Sequence, residues 1–318
     1  MGKLIGGLLI VCILALCSIF VGVGSVTPSK LWALDHNAWT NFLGGRIPRT
    51  VALILVGVAM TISGTIMQLL SRNRFVEPST AGTVDSASLG ILAVLLLAPD
   101  LPVILKTLVA AGFALCGTFI FMAILRRIPL RSALLVPLIG IMLSGVIGSI
   151  STFFAYKYDK MQSLQAWLSG DFSSVMLGKY ELLWLAVPLV LIACIAADRF
   201  TVAGLGQDFT TNLGVNYKHI MMMGLMIVAM NTALVVIITG QIPFLGLIIP
   251  NIVALFIGDN MRRAVPWVAL LGASSVLICD ILSRLISYPY EIPISAIIGV
   301  FGSGIFLYLL LRKGNRFA

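Results

Sequence analysis

The feature that most limits this chain is a series of long apolar runs that follow one another with short polar breaks. They fall at about 4–24, 50–70, 82–98, 103–125, 133–155, 182–198, 220–240, 245–258, 265–282 and 294–311. A helix needs about 20 apolar residues to cross the hydrocarbon core of a bilayer. Only 10% of the residues are charged, against roughly 25% in a soluble domain, so the chain cannot cover itself with a wetted surface. The expected fold is an all-α integral membrane protein of about ten transmembrane helices, one domain over 1–318.

The formal charge of +9 reads as topology rather than as nucleic-acid binding, because cytoplasmic loops collect Lys and Arg. With the N-terminus inside, the inner segments hold Lys3, Arg72, Arg74, Arg126, Arg127, Arg131, Arg199, Lys218, Arg262, Arg263, Arg312, Lys313 and Arg316. The outer ones hold Lys30, Arg46, Arg49, Lys106, Lys157, Lys160, Lys179 and Arg284. That distribution favours both termini in the cytoplasm. Leu14-Ala15-Leu16-Cys17 faintly resembles a lipoprotein cleavage box, but the large Leu before the Cys argues against cleavage, and the first run is expected to be a retained helix. The five cysteines all lie in apolar runs without metal-ligand spacing and read as small buried hydrophobes.

Ten spans divide into two halves of five, and an odd number per half gives the halves opposite orientations. The third span of the first half starts late, after Glu77-Pro78-Ser79-Thr80-Ala81-Gly82, and carries Asp85. Its counterpart in the second half is short and contains Pro250. Short or interrupted spans at matching places point to a transport path.

Signals for catalysis are thin. His36 and His219 stand in loops away from any cluster that would complete a metal site, no nucleophile elbow occurs, and no phosphate-binding P-loop is present. A membrane-embedded enzyme is therefore excluded for want of a catalytic constellation, and any ATP used must be bound by another polypeptide.

Polar residues in and around the spans carry what chemistry there is. Gly44-Gly45-Arg46-Ile47-Pro48-Arg49 reads as an external loop with Pro48 setting the helix entry; its arginines either snorkel to the interface or meet something negative outside. The inner segment Gly206-Gln207-Asp208-Phe209-Thr210-Thr211-Asn212-Leu213-Gly214-Val215 predicts a short helix capped by Asp208 and ended by Gly214. Phe209 and Leu213, at i and i+4, make either a knob for a partner's groove or an amphipathic turn on the membrane surface. Asp280 and Arg284, also at i and i+4, predict a structural ion pair. Asp85 has no partner in sequence and is the better functional candidate, since a carboxylate in hydrocarbon faces a cavity or a cation. Asn231 and Asn251 are further polar residues inside spans, and the fifth span is rich in Gly and Ser, either for close packing or to leave room for a solute.

Taken together, several stretches resemble the permease family of iron-chelate and cobalamin ABC importers, the FecCD/BtuC type. They are Arg46-Ile47-Pro48-Arg49-Thr50, Ser63-Gly64-Thr65-Ile66-Met67-Gln68, Asn73 with Glu77-Pro78, Trp167-Leu168-Ser169-Gly170, Leu213-Gly214-Val215-Asn216, Phe244-Leu245-Gly246-Leu247-Ile248-Ile249-Pro250 and Glu291-Ile292-Pro293. Each is weak alone; the order and spacing are specific. The resemblance implies a non-catalytic permease domain of ten spans in the bacterial inner membrane, with a coupling segment at about 199–219. It implies a second permease subunit, homologous or identical, two cytoplasmic ATPase subunits that bind ATP and Mg, and an extracytoplasmic siderophore-binding protein, with no cofactor or metal on this chain. By the same resemblance Arg46, Arg49 and Arg284 would dock the binding protein, and the segment Gly206, Gln207, Asp208, Phe209, Leu213, Gly214 and Val215 would couple to the ATPase. Asn73 and Phe75 would form the cytoplasmic gate, with Ser144 and Ser149 facing the path. Arg74, Asn251, Ala254 and Thr210 depart from the common family pattern, as does the run from Ser79 to Asp85, and these resemble the subset serving catecholate or mixed siderophores. The expected function is ATP-driven import of ferric siderophore by alternating access. The competing expectation is an ion-driven secondary transporter that uses Asp85.

Overall fold

The computed structural model describes residues 2–22, 32–33, 35–128 and 135–312, and among them the fold is helical throughout; extended pairing is confined to an isolated bridge between Ser169 and Gln241. Lys30, Arg131, Lys313 and Arg316 lie outside the described residues. The helices are α1 (Gly2–Phe20), α2 (His36–Asn41), α3 (Ile47–Ser71), α4 (Thr83–Leu97), α5 (Val103–Arg127), α6 (Leu135–Lys157) and α7 (Met161–Leu168). They continue with α8 (Ala186–Ile195), α9 (Ala197–Ala203), α10 (Gln207–Asn212), α11 (Tyr217–Thr239), α12 (Leu245–Ile257), α13 (Met261–Leu285) and α14 (Ile294–Arg312).

Among the described residues, six segments are long and apolar enough to cross a membrane: Gly2–Phe20, His36–Ser71, Val103–Leu125, Leu135–Lys157, Tyr217–Thr239 and Met261–Leu285. A seventh candidate is the pair Tyr180–Ile195 and Ala197–Ala203, bent by 63°. Three shorter apolar helices, Thr83–Leu97, Leu245–Ile257 and Ile294–Tyr308, occupy the other expected positions. At 1.5 Å per residue α4 and α12 measure only about 22 and 20 Å, less than the ~30 Å hydrocarbon core.

Where the sequence suggests an external loop, the chain is already helical. Asp35 caps α2 by accepting from the Asn37 N–H at 3.0 Å, and a single π turn, Phe42–Arg46, joins α2 to α3. Pro48 explains the turn. It has no N–H to offer four residues back, so the Gly44 carbonyl loses its intrahelical donor and accepts instead from Leu177 N at 2.9 Å. Arg46 and Arg49 therefore project from a helix, at positions set by that change of register.

Helix α3 is the centre of the molecule, packed against α13 along its length and also against α11 and α12. Glycines permit the closest approaches. A Cβ on Gly57 would lie 2.7 Å from the Gly272 carbonyl oxygen of α13, and one on Gly64 only 1.9 Å from that of Gly246 in α12. Pro250 leaves the Gly246 carbonyl without its donor inside α12, and Gln68 Nε2 of α3 supplies one at 3.3 Å. Helices α4 and α5 form a second packed group joined to α11 and α6, with the Thr83 and Thr118 hydroxyls 2.6 Å apart. The Trp167–Gly170 motif ties distant segments together: Leu168 O accepts from Gln241 N at 3.1 Å, and Gly170 O from Ser295 N at 3.2 Å.

Much apolar surface of α1, α5 and α6 points away from the chain, as a bilayer-facing helix requires. Cys12, Cys17 and Cys116 lie on such outward surface rather than in the core as expected, while Cys194 and Cys279 are half-buried.

Candidate functional site

Three groups of polar residues stand out, and α3 separates two of them. It has 25 residues, so its ends lie about 37 Å apart.

At the N-terminal end of α3, Arg49 and Arg284 meet on Asp280, with Arg46 close to Arg49. Arg49 reaches Asp280 Oδ1 with Nη2 at 2.7 Å and Nε at 3.1 Å, and Glu291 Oε2 with Nη1 at 2.7 Å. Arg284 pairs with Asp280 Oδ2, as the i, i+4 spacing predicts, and also donates to the Ser18 and Val21 carbonyls at 2.9 and 2.6 Å. Arg46 donates to the Val21 carbonyl as well. The group thus closes the end of α1 onto α3 and α13. Arg284 departs from the expectation of three arginines held out to a partner. It is 2% exposed, because the C-terminal carbonyls of α1 and the Asp280 carboxylate take up its donors and draw it inward. Arg49 is 9% exposed, and Arg46 is the most open of the three. A buried charge needs such pairing to be tolerated. Ser18 carries no signal in the sequence, and Glu291 stands there only within the Glu291-Ile292-Pro293 motif; their roles exist only once α1 and the Glu291–Pro293 segment fold back.

At the other end, α3 stops where Arg72 adopts the left-handed conformation (φ 51°) and the chain turns into the loop 73–82. The Asn73 side chain accepts from Phe75 N at 2.8 Å, and the Phe75 ring meets Phe306 of α14 edge to face at 5.8 Å. Asn73 lines a cavity of ≈ 390 Å³ with Gln68, Arg72, Arg74, Gly204 and Asp259, between the end of α3 and the approach to α10. Arg74 pairs with Asp259 at 2.6 Å, and its carbonyl accepts from Asn251 Nδ2 at 2.7 Å.

Helix α10 begins at Gly206 (φ 113°), which takes the cap position expected of Asp208; Asp208 falls inside the first turn, where a carboxylate suits the helix dipole. The C-terminal end is as expected. Gly214 is left-handed (φ 73°), with Gly214 N bonded to Thr211 O at 2.9 Å and Val215 N to Thr210 O at 3.1 Å. Thr210 is fully buried and donates to the Gly206 and Val202 carbonyls at 2.6 and 3.1 Å, which seats α10 on α9. Gln207 and Asp208 face outward and Val215 is half-buried. Phe209 and Leu213 stand out side by side, 51% and 55% exposed, next to Leu205. That is an apolar knob on a rigid base.

The third group lies between α4 and α6. Asp85, half-buried in the first turn of α4, stands beside Ser144 of α6. A Cβ on Gly148 would come within 4.0 Å of Asp85 Oδ1. Gly148 and Ser149 line an open groove of ≈ 600 Å³ with Gly145, Thr152, Phe153 and Tyr156. The structure therefore brings Asp85, Ser144 and Ser149 to one place and keeps Asn73 and Phe75 in another.

Sequence reasoning quoted Glu77 in a motif without giving it a role. It is 1% exposed and bonds to the N-terminus of α12: Phe244 N donates to Oε1 at 2.8 Å, and the Ser79 hydroxyl donates to the same oxygen. Among the described residues no group of His, Cys, Asp and Glu is arranged to hold a metal ion.

Residues 8–312 match the FecCD transport family. The chain is 49% identical over 305 residues to the petrobactin import system permease protein YclN of Bacillus subtilis (strain 168), covering 96% of each chain. It is 38% identical over 306 residues to the ferric-anguibactin transport system permease protein FatD of Vibrio anguillarum, covering 96% of this chain and 98% of the relative. Among solved structures, an ABC transporter in an inward-facing conformation shares the fold, with a TM-score of 0.78 and 24% identity over 97% of this chain and 98% of that one. The chain belongs to the FecCD transport family.

Proposed function

We propose that this chain is the permease subunit of an ATP-driven importer of ferric siderophore, of catecholate or mixed type, working by alternating access. As a family member it is a non-catalytic, multi-pass transport component of the bacterial inner membrane. In the finer reading it has ten spans in two inverted halves and both termini in the cytoplasm, which the short α4 and α12 at corresponding places support. The siderophore reading is supported by relatives whose names give petrobactin and ferric-anguibactin transport. The catecholate or mixed type rests on Arg74, Asn251, Ala254 and Thr210.

The observation that carries the reading is that one rigid helix, α3, joins the arginine group at one end to the loop 73–82 at the other, beside the Phe209–Leu213 knob. Arg46, with Arg49 and Glu291 behind it, meets an acidic surface of the extracytoplasmic binding protein. Phe209 and Leu213 enter a groove on one of two ATPase subunits, and Gly206, Asp208, Gly214 and Val215 hold that helix in shape. The groove at Asp85, Ser144 and Ser149 lies on the path shared with a second permease subunit, and Asn73 with Phe75 closes it towards the cytoplasm. ATP and Mg act on the ATPases, whose closure pushes α10, α9 and the adjacent end of α3, so that the path opens on one side at a time.

The test is co-purification. A Phe209→Glu, Leu213→Glu double variant should reach the membrane as wild type does and lose its ATPase partner. Retention of the ATPase by that variant would remove α10 from the coupling role.

A further inference from the structure

We infer that Glu77 is a positioning residue that fastens the loop 73–82 to the N-terminus of α12, so that the loop and α12 move as one body. The inference rests on the transport reading above and gives that reading its gate mechanics.

The loop is held against α12 at three levels. Near the cytoplasmic end Arg74 pairs with Asp259, in the turn after α12. One step along, Asn251 Nδ2 of α12 donates both to the Arg74 carbonyl and to Leu247 O. At the far end Glu77 Oε1 accepts from Phe244 N, the residue that opens α12 in the left-handed conformation (φ 64°). Glu77 Oε2 is buried beside the first turn of α12 without a hydrogen-bond partner, 3.2 Å from where a Cβ on Gly246 would sit.

The first turn of a helix leaves its N–H groups without partners and carries a partial positive charge. Helix α12 begins deep in the molecule, with Leu245, Gly246 and Leu247 all buried. A fully buried carboxylate is costly unless donors compensate it, and here Phe244 N of the α12 start and the Ser79 hydroxyl of the loop supply that compensation at Oε1. The loop's own bonds turn Glu77 towards α12: Glu77 N donates to Thr80 Oγ1 at 3.0 Å, and Thr80 N and Ala81 N both bond to the Glu77 carbonyl at 3.1 Å. Helix α12 is also packed on α3 at Gly64 and Gly246, where the side-chain hydrogen bonds, from Gln68 Nε2 to the Gly246 and Leu247 carbonyls at 3.3 Å, run through a neutral amide. Charge-assisted bonds are roughly twice as strong as neutral ones. When the cytoplasmic ends of α12 and α13 are displaced, the loop carrying Asn73 and Phe75 follows α12.

Two measurements on the assembled transporter test this, with wild type, Glu77→Ala and Glu77→Gln. The first is hydrogen–deuterium exchange, which does not depend on transport. In Glu77→Ala, residues 73–82 and 244–248 should exchange faster together, by at least about tenfold, the effect of losing one bond to a charged group, while α3 and α13 keep their protection. Faster exchange at 77–80 alone, with 244–248 unchanged, overturns the clamp. The second is ferric-siderophore uptake per ATP hydrolysed in proteoliposomes supplied with binding protein. Glu77→Ala should still hydrolyse ATP but deliver at least about tenfold less solute per ATP. Glu77→Gln, whose side-chain oxygen can accept from Phe244 N but carries no charge, should recover part of that ratio. Less assembled complex with an unchanged ratio would make Glu77 merely structural and overturn the proposal. If wild type shows no ATP-driven uptake while the two segments still loosen together, the transport reading fails and the clamp stands.

Discussion

The side-chain amide of Asn251 donates to the carbonyl oxygen of Arg74 at 2.7 Å, joining two positions 177 residues apart. Both depart from the common pattern of the family that the sequence resembles, and the structure makes them a contact. The same Asn251 nitrogen bonds to Leu247 O within its own helix, and Arg74 is held from the other side by Asp259. An Asn251→Leu substitution leaves the Arg74 carbonyl without that donor, at a cost of about 1–2 kcal/mol. A lower melting temperature of the purified protein is the expected result, and because the acceptor is a main-chain carbonyl, changing the Arg74 side chain as well should not relieve it.

The arginine group predicts a division of labour. Arg284→Ala removes a guanidinium that is 2% exposed and leaves Asp280 with one cation fewer, costing about 3–5 kcal/mol as for a broken buried pair. Arg46→Glu acts on the most open arginine, where charge reversal sets like charges against an acidic partner. Membrane abundance should therefore fall in Arg284→Ala and hold in Arg46→Glu, while binding-protein affinity should fall in Arg46→Glu by about tenfold or more. Quantitative immunoblots and surface plasmon resonance separate the two.

Close backbone contact at Gly64 predicts a sharp size limit. A methyl there would lie 1.9 Å from the Gly246 carbonyl oxygen, and backbone on both sides cannot yield as a flexible side chain does. Gly64→Ala should cost about 3 kcal/mol or more. Size-exclusion chromatography in detergent should show loss of the folded peak. Gly145→Ala, where a Cβ would meet nothing within 4 Å, should elute as wild type.

Thr210 predicts a selective defect in coupling. Its hydroxyl is the side-chain bond that seats α10 on the preceding helix. Thr210→Val keeps the volume and loses about 1 kcal/mol of local stability, so the chain should still reach the membrane. Stimulation of ATP hydrolysis by binding protein should drop several-fold, and an ATPase assay on the purified complex reads it.

Much of the architecture was legible because a bilayer imposes it. Runs near 55, 115, 145, 230 and 275 had to be helices, since lipid offers no partner for backbone polar groups. Local rules also reached the end of α10, where Gly214 was readable as a left-handed stop, and the Asp280–Arg284 pair, which follows from helical spacing alone. What escaped depends on distant segments. The π turn before α3 needs Leu177 to receive the Gly44 carbonyl, and the burial of Arg284 needs the end of α1 to fold onto α13. The partner of Glu77 is a backbone amide 167 residues away, so no local spacing marks it. Asp208 was misplaced by one turn boundary, because Gly206 at φ 113° serves as the cap without a side chain.

Under the proposed function, this permease imports ferric siderophore with energy from a separate ATPase. The most direct measurement is uptake of radioactive ferric siderophore by iron-starved cells expressing the chain with its candidate ATPase and binding protein, beside cells lacking the ATPase and cells carrying Arg46→Glu. The account predicts uptake that requires the ATPase and falls at least about tenfold in Arg46→Glu at equal membrane abundance. Uptake that persists without the ATPase, ignores Arg46 and is abolished in Asp85→Asn would contradict it and make the protein an ion-driven carrier.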